Sequence, residues 1–280
     1  MSATTSPAPV QFRPTEHRVT FGGLLRSEWI KFWSVRSVVV TMAAAFVAIV
    51  GFGILLPFAV GSQPAAERGG PPGGPSGGLD PTALSLQGAQ LASLIVAALG
   101  VIVIAGEFST GMVRTSFVSA PRRLGVLAAK AIVLAVTVAV VLGVAVFLAF
   151  FIGQAVLDRN GTGASLSDDG VLRAVLGNVL VLVGIALAGL GLGALMRNSA
   201  GAICTILAAL FVLPLLLLAL PESWGGPTIR EYYFANTTTN SIAVQQQSEY
   251  LGVGAGFAVF AVWVAVLLAL GAISAKTRDV

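Results

Sequence analysis

Six long stretches of this chain contain no charged residue and no histidine. A hydrocarbon core about 30 Å thick is crossed by about 20 apolar residues of helix, and a charge at its centre costs about 2.5–3.5 kcal/mol on insertion scales. Since 10% of the whole chain is charged, chance alone would have placed about a dozen charges in these six stretches together. The pattern predicts an all-α integral membrane protein with six transmembrane helices. The stretches, each 21 to 24 residues long, are Val38–Val60, Leu86–Gly106, Ala131–Ile152, Val175–Met196, Ala200–Leu220 and Leu251–Ser274.

The remaining residues divide the chain into four parts. Residues 1–17 lack periodicity and are rich in Pro, Ser and Thr, so we expect a disordered cytoplasmic tail. Residues 18–37 are expected to form an amphipathic interfacial helix, 38–274 the six-helix transmembrane domain, and 275–280 a second cytoplasmic tail. No signal peptide is expected, because the first 36 residues are polar and basic before any apolar run begins.

The basic residues predict the orientation of the chain in the membrane. Twelve of the 16 Lys and Arg residues fall in the N-terminal arm, the second and fourth connections and the C-terminal tail. The other four fall in connections on the opposite side. Basic residues stay cytoplasmic, so we expect both termini to lie inside, which an even number of spans also requires.

The segment before the first span has the pattern of a helix in the membrane interface. Phe21, Leu25, Trp29 and Phe32 recur at helical spacing, while basic and hydroxyl residues lie on another side. Trp and basic residues on such a helix favour a position in the interface plane. The pattern is equally compatible with a simple membrane anchor and with a helix that also contacts a cytoplasmic partner.

The residue inventory argues against catalysis by this chain. Its only histidine, His17, lies in the predicted disordered arm, and its only cysteine, Cys204, lies inside the fifth span. A Ser–His pair, a histidine metal site and a disulfide framework are therefore excluded. The sequence contains no P-loop for ATP. We expect no catalytic residue, no metal site and no cofactor in this chain.

Few polar side chains occur within the spans. Gln87, Gln90, Ser93 and Asn178 are candidates for a substrate path, although hydrogen bonding between helices is the commoner role of such residues. The absence of charge at membrane depth disfavours an ion-coupled transporter. The run GLGLG at Gly189–Gly193 lacks the spacing of a nucleotide-binding loop, so we interpret it as a helix-packing surface.

The connection from Gly106 to Lys130 is the most informative one. Glu107 leaves the membrane directly, and a short helix over about Ser109–Val118 would bring Glu107, Gly111 and Arg114 close together. Such an element could dock another protein and pass force to the spans. A basic loop that merely obeys the charge rule is the alternative interpretation.

Two sets of residues resemble those of a known family. Before the first span, Glu28 and Lys31 match a Glu-x-x-Lys segment. The connection matches a second pattern, at Gly106-Glu107, Gly111, Arg114, Pro121-Arg122-Arg123 and Lys130. Together with the six-span layout, these features resemble permease subunits of ABC-2 type transporters, especially the actinobacterial exporters.

The resemblance implies a permease subunit of an ATP-driven exporter in a bacterial plasma membrane. Two permease chains, identical or different, would form the path, and separate ATPase subunits would carry ATP and magnesium. No nucleic acid partner is implied. Contact with the ATPase subunit would involve Glu28, Lys31, Glu107, Gly111, Arg114, Pro121, Arg122, Arg123 and Lys130.

Two further expectations accompany the resemblance. Family members carry re-entrant helices in the last outer connection, and Ile229–Val244 occupies that place here, although Phe234-Ala235-Asn236 departs from the usual core. The alternatives to a permease are a carrier or channel that works without ATP and a structural or immunity-type membrane protein.

Overall fold

The computed structural model describes residues 20–61, 80–109, 123–159 and 161–277, and these residues form helices joined by turns, with no strand among them. A short helix α1 (Phe21–Ser34) precedes the long helices α2 (Arg36–Gly61), α3 (Pro81–Ser109), α4 (Arg123–Asp158) and α5 (Val171–Met196). The chain continues through α6 (Ser199–Leu207), α7 (Leu213–Leu218), α8 (Gly226–Tyr232), α9 (Thr239–Ile242) and α10 (Val253–Thr277).

The prediction of six spans is confirmed. Six helical stretches of the described residues are long and apolar enough to cross a membrane, with α6 and α7 together forming the fifth. They are Arg36–Val60, Pro81–Gly106, Leu124–Asp158, Val171–Met196, Ser199–Leu218 and Val253–Lys276. The protein is therefore an all-helical, multi-pass membrane protein by length and composition.

Four of the spans are longer than the apolar pattern predicted, the third and the second by the most. The third was expected over Ala131–Ile152, but its helix α4 includes Lys130 and Gln154. Both side chains are buried and hydrogen-bonded inside the protein, so neither has to face lipid. The second span similarly begins at Pro81 rather than Leu86, because Ser85 is buried and bonds to its own helix and to Gln154.

The long helices alternate in direction. Near the end of α4, Gln154 Nε2 lies 2.9 Å from the carbonyl oxygen of Pro81 at the start of α3. Just after α5, an Arg197 guanidinium nitrogen lies 2.8 Å from the carbonyl oxygen of Ser274 near the end of α10. One end of the bundle, here called the α1 end, holds the beginnings of α2 and α4 and the ends of α3, α5 and α10. The opposite end is called the far end.

Helix α5 lies at the centre of the bundle and packs through small residues. Gly189 meets the backbone of α3 at Ala97, and Gly193 meets it at Val101. On the other side, a methyl group on Gly191 would lie 2.6 Å from the backbone of Leu267 in α10. The interpretation of the GLGLG run as a packing surface is confirmed, since such close backbone approach requires the absence of a side chain.

The fifth span is irregular in its middle. A π-helical turn over Ala208–Val212 separates α6 from α7, and Pro214 follows at the start of α7. Proline lacks the N–H that would continue the α-helical ladder, and single π turns are a recognised accommodation in such helices. All residues of this span except Ala202 and Ile206 are exposed or only partly buried.

Crowding where α3 crosses α5 predicts the effect of a single methyl group. A Cβ on Gly100 would collide with the carbonyl oxygen of Ala186 and lie 2.9 Å from the backbone nitrogen of Leu190, whereas a Cβ on Gly51 would meet open space. We expect Gly100→Ala to destabilise the protein by about 1–3 kcal/mol through overpacking. The matched control Gly51→Ala should leave stability equal or slightly higher.

Thermal unfolding of both variants in detergent micelles measures this difference. Equal midpoints for Gly100→Ala and Gly51→Ala would contradict the close crossing of α3 and α5.

Candidate functional site: a buried ion pair and an uncharged cavity

Helix α1 docks on the bundle through a face that includes a charged residue. Thr20 caps the helix, its side-chain oxygen accepting from the Gly23 N–H at 3.3 Å. Glu28 and Phe32 are buried, and Leu25 packs against the core. The predicted apolar stripe is thus divided: Phe21 and Trp29 are 48% and 45% exposed. The helical spacing of the apolar residues is confirmed, and the face of α1 that packs on the bundle includes Glu28 and Phe32.

The carboxylate of Glu28 is held by two lysines. Its Oε2 lies 2.7 Å from Lys130 Nζ, and its Oε1 lies 3.0 Å from Lys31 Nζ. The Glu28 and Lys130 side chains are 4% and 6% exposed, so this pair is almost entirely removed from solvent. A buried charge requires a partner of opposite sign, which here comes from 102 positions away in the sequence. The pair fixes α1 to the first part of α4.

The environment of Glu28 determines its protonation. Burial by itself would raise the pKa of this carboxyl group, but the positive charge of Lys130 and the hydrogen bonds from Lys130 and Lys31 act in the opposite direction. Their combined effect holds the pKa of Glu28 below its ordinary value of 4.5. The carboxylate is therefore ionised at neutral pH.

The structure brings together three of the residues predicted to contact an ATPase subunit, namely Glu28, Lys31 and Lys130. Glu107 and Arg123 lie at the ends of α3 and α4, but their side chains fall outside the described residues. The predicted helix over Ser109–Val118 and residues Gly111, Arg114, Pro121 and Arg122 also fall outside them, as do residues 1–17 and 278–280.

A cavity of about 410 Å³ lies in the half of the bundle nearer the far end. All four residues predicted as a candidate substrate path line it: Gln87, Gln90 and Ser93 from α3, and Asn178 from α5. Among the described residues that line the cavity, none is charged. The remaining polar lining comes from the segment after α8, at Asn236, Thr238 and Thr239.

The amide side chains in the cavity differ in how they are bonded. Asn178 is 5% exposed, and its Nδ2 donates to the carbonyl oxygen of Ala174 at 2.9 Å. Its Oδ1 accepts no hydrogen bond within the described part of the chain. The side-chain amides of Gln87 and Gln90 likewise make no hydrogen bond to the residues that the structure describes. These groups are therefore open to the cavity.

The segment predicted to be re-entrant, Ile229–Val244, covers this cavity. It contains the end of α8 and the short helix α9, and buries Thr237, Thr238 and Ser241. Its backbone approaches α5 at Gly177 and α10 at Gly256, where no side chain stands in the way. Phe234 from this segment stacks on Phe260 of α10 at 5.2 Å and forms part of the cavity wall.

Two residues that the sequence reasoning missed hold this segment in place. Asn240 Nδ2 lies 2.9–3.1 Å from the carbonyl oxygens of Gln247, Tyr250 and Leu251, and its Oδ1 accepts from the Gln247 N–H at 2.7 Å. Arg173 donates to the carbonyl oxygens of Asn240 and Val244 at 2.6 and 3.1 Å. The unusual run of hydroxyl and amide residues before α10 is the only sequence signal that could have indicated such a cap.

No protein-family model matches the sequence, and no curated protein is significantly similar to it. The fold and the site define the class to which this chain belongs: an all-helical, multi-pass membrane protein with a docked N-terminal helix and an uncharged internal cavity. Any assignment of function beyond that class depends on the geometry and on the motif resemblance.

Removing one partner of the buried ion pair should be strongly destabilising. In Glu28→Gln, Lys130 loses the carboxylate that faces it, and we expect a cost of about 3 kcal/mol. The double variant Glu28→Gln/Lys130→Met should recover much of that loss, because it removes both charges. Thermal unfolding in lipid nanodiscs measures these changes, and Glu222→Gln, an exposed carboxylate at the far end, is the control. A Glu28→Gln midpoint equal to that of the control would contradict a stabilising pair.

The lowered pKa of Glu28 also predicts a pH dependence. Because the folded pKa lies below 4.5, the stability contributed by the carboxylate is fully present above about pH 4.5 and is lost as pH falls through the folded pKa. The stability difference between the wild-type protein and Glu28→Gln should therefore stay constant from about pH 8 to pH 5 and disappear only at lower pH. A difference that already declines between about pH 7 and pH 5 would indicate a raised pKa and contradict this environment.

Proposed function

We propose that this chain is the membrane permease subunit of an ATP-driven exporter of the ABC-2 type. It would form the path as a dimer, with a second permease chain, in a bacterial plasma membrane. ATP and magnesium would bind to separate ATPase subunits on the cytoplasmic side, which the charge rule assigns to the α1 end. The six spans and the motif resemblance support this proposal, and the chain itself carries no P-loop.

The observation that carries the proposal is the ion pair between Glu28 and Lys130. Lys130 closes the connection that begins at Gly106, so the pair ties α1 to the place where that connection re-enters the bundle. A force applied to either element by a cytoplasmic subunit would move α4, and with it α2, against which α4 packs. Rigid coupling of this kind is what an external energy source needs to drive a conformational change in the spans.

The burial of Glu28 and Lys130 refines their roles. A carboxylate and an ammonium group that face each other inside the protein act as positioning residues, which set the place of α1 on α4. Direct contact with an ATPase subunit is better supplied by exposed groups, such as the partly exposed Lys31, and by the connection between α3 and α4. The geometry favours this division of labour within α1.

The cavity supports a transport role. It lies between α3, α5, the fifth span and α10 and is covered at the far end by the Ile229–Val244 segment. We propose that Gln87, Gln90, Ser93 and Asn178 belong to the substrate path. Movement of α3 or of the covering segment would open this space to one side of the membrane.

A carrier that works without ATP is the second candidate. Such a carrier would need neither an ATPase partner nor a second permease. A structural or immunity-type protein would leave the cavity without a role.

Co-purification and one substitution separate the two candidates. A tagged chain should retain an ATPase subunit, and Glu107→Ala should lower transport-linked ATP hydrolysis about tenfold, which corresponds to about 1.4 kcal/mol of lost coupling. Glu222→Ala at the far end is the matched control and should change nothing. A chain that never retains an ATPase subunit, together with unchanged hydrolysis in Glu107→Ala, would contradict the proposal. Solute movement by the reconstituted chain alone would then favour the carrier.

A further inference from the structure

Polar side chains within the spans are, as a rule, hydrogen-bonded inside this protein. Gln154 uses both ends of its amide: Nε2 donates to Pro81 and Ser85 at 2.9 Å each, and Oε1 accepts from the Ala164 N–H at 2.8 Å. The hydroxyl groups of Thr137 and Thr205 donate to carbonyl oxygens one helical turn earlier, at 2.7 and 2.8 Å. Lipid offers no replacement for such bonds, and an unsatisfied amide at this depth costs several kcal/mol.

Three side chains that line the cavity are exceptions to this tendency. The amides of Gln87 and Gln90, which are exposed at the open side of the cavity, and the Oδ1 of the buried Asn178 lack hydrogen bonds to any described residue, and all of them line the same space. Asn178 is especially informative, because its side chain is 95% buried and yet retains an open acceptor. Three amide groups that converge on one cavity indicate a molecule that both donates and accepts hydrogen bonds.

The other walls of the cavity are apolar. The stacked rings of Phe234 and Phe260 form one wall, and aliphatic side chains of Leu182, Ile185 and Leu210 form others. Apolar walls with a few convergent polar groups are typical of sites for small organic molecules, and a volume of about 410 Å³ falls within the range for such sites.

The lining also determines the charge of the occupant. No Asp, Glu, Lys, Arg or His stands among the described lining residues, and the helices around the cavity are long and apolar enough to cross a membrane. An ion placed there would lose its hydration without gaining a counter-charge, which is strongly unfavourable. An uncharged molecule with amide, hydroxyl or carbonyl groups carries no such cost.

We infer that this cavity is a binding site for an uncharged amphipathic organic molecule, which the amides of Gln87, Gln90 and Asn178 recognise and from which ions are excluded. The inference deepens the proposed function and rests on it only in making this site part of the export path. Binding itself requires no ATPase subunit, so the two can fail separately.

Three photoreactive probes of one scaffold test the inference on the purified full-length chain in lipid nanodiscs. Each is an aryl diazirine of the same length that ends in a carboxamide, a carboxylate or a trimethylammonium group. After irradiation, mass spectrometry locates the labelled peptides. The carboxamide probe should label α3 and the Ile229–Val244 segment saturably, and each charged probe should label them about tenfold less or weaker still.

Substitutions at the cavity provide a second, independent readout. The triple variant Gln87→Met/Gln90→Met/Asn178→Leu keeps side-chain size but removes the amides, and it should lower carboxamide labelling of these peptides at least about fivefold. Thr205→Val is the matched control, because it removes a hydroxyl group from an exposed position in the fifth span that does not line the cavity. Its labelling should equal that of the wild-type protein.

Equal labelling by the charged and uncharged probes in the wild-type chain would overturn the inference, whether or not the triple variant folds. Labelling that never saturates, or that the triple variant leaves unchanged, would overturn it too. Saturable, charge-selective labelling by a chain that retains no ATPase subunit would uphold the site while the proposed exporter function fails.

Discussion

A polar group in a hydrocarbon environment has no water to which it can hydrogen-bond. This constraint explains where the polar side chains of the structure lie and what they contact. Several polar groups inside the spans and at their ends find partners within the protein, and others face the cavity. Glu28 and Lys130 form an ion pair at the α1 end, and Gln154 joins α3 to α4. At the far end, the side chain of Asn240 is hydrogen-bonded to four backbone groups. Each of these bonded groups fixes one connection or helix to the bundle.

The two parts of the candidate site, the ion pair and the cavity, lie far apart in the bundle. The ion pair lies at the α1 end, and the cavity lies in the opposite half of the bundle. Along α3, the distance from Gln90 to Gly106 is about 24 Å, so any coupling between the two parts must be carried by whole helices. The close contacts of α5 with α3 and α10 suit this role, because helices that touch backbone to backbone move as a unit. Packing is loosest around α6 and α7, which bury few side chains and are separated by a π turn.

Structural features that depend on neighbouring residues could be predicted from the sequence. Features that depend on contacts between distant residues could not. The absence of charge over about 20 residues is sufficient to identify a span, so all six were found. Gln87, Gln90, Ser93 and Asn178 were singled out because polar residues are rare in spans, and the structure places all four on one cavity. Their use as a substrate path stays a prediction.

The ion pair could not be predicted, because nothing in helical periodicity relates Glu28 to a lysine 102 positions away. For the same reason, no pattern in the sequence indicated that Glu28 of α1 packs against the bundle. The helix ends were misplaced where buried polar residues such as Lys130 and Ser85 extend a span beyond its apolar part. The cap formed by Arg173 and Asn240 depends on backbone carbonyls, which carry no sequence signature.

The central claim is that lipid surrounds this bundle and that the α1 end faces the cytoplasm, where an energy source can reach it. The most direct test is labelling of single cysteines in intact cells with a membrane-impermeant maleimide, in a Cys204→Ser background. Gln246→Cys, an exposed position at the far end, should be labelled from outside, whereas Arg114→Cys should be labelled only after the membrane is permeabilised. Labelling of Arg114→Cys in intact cells would contradict the orientation and the function that depends on it.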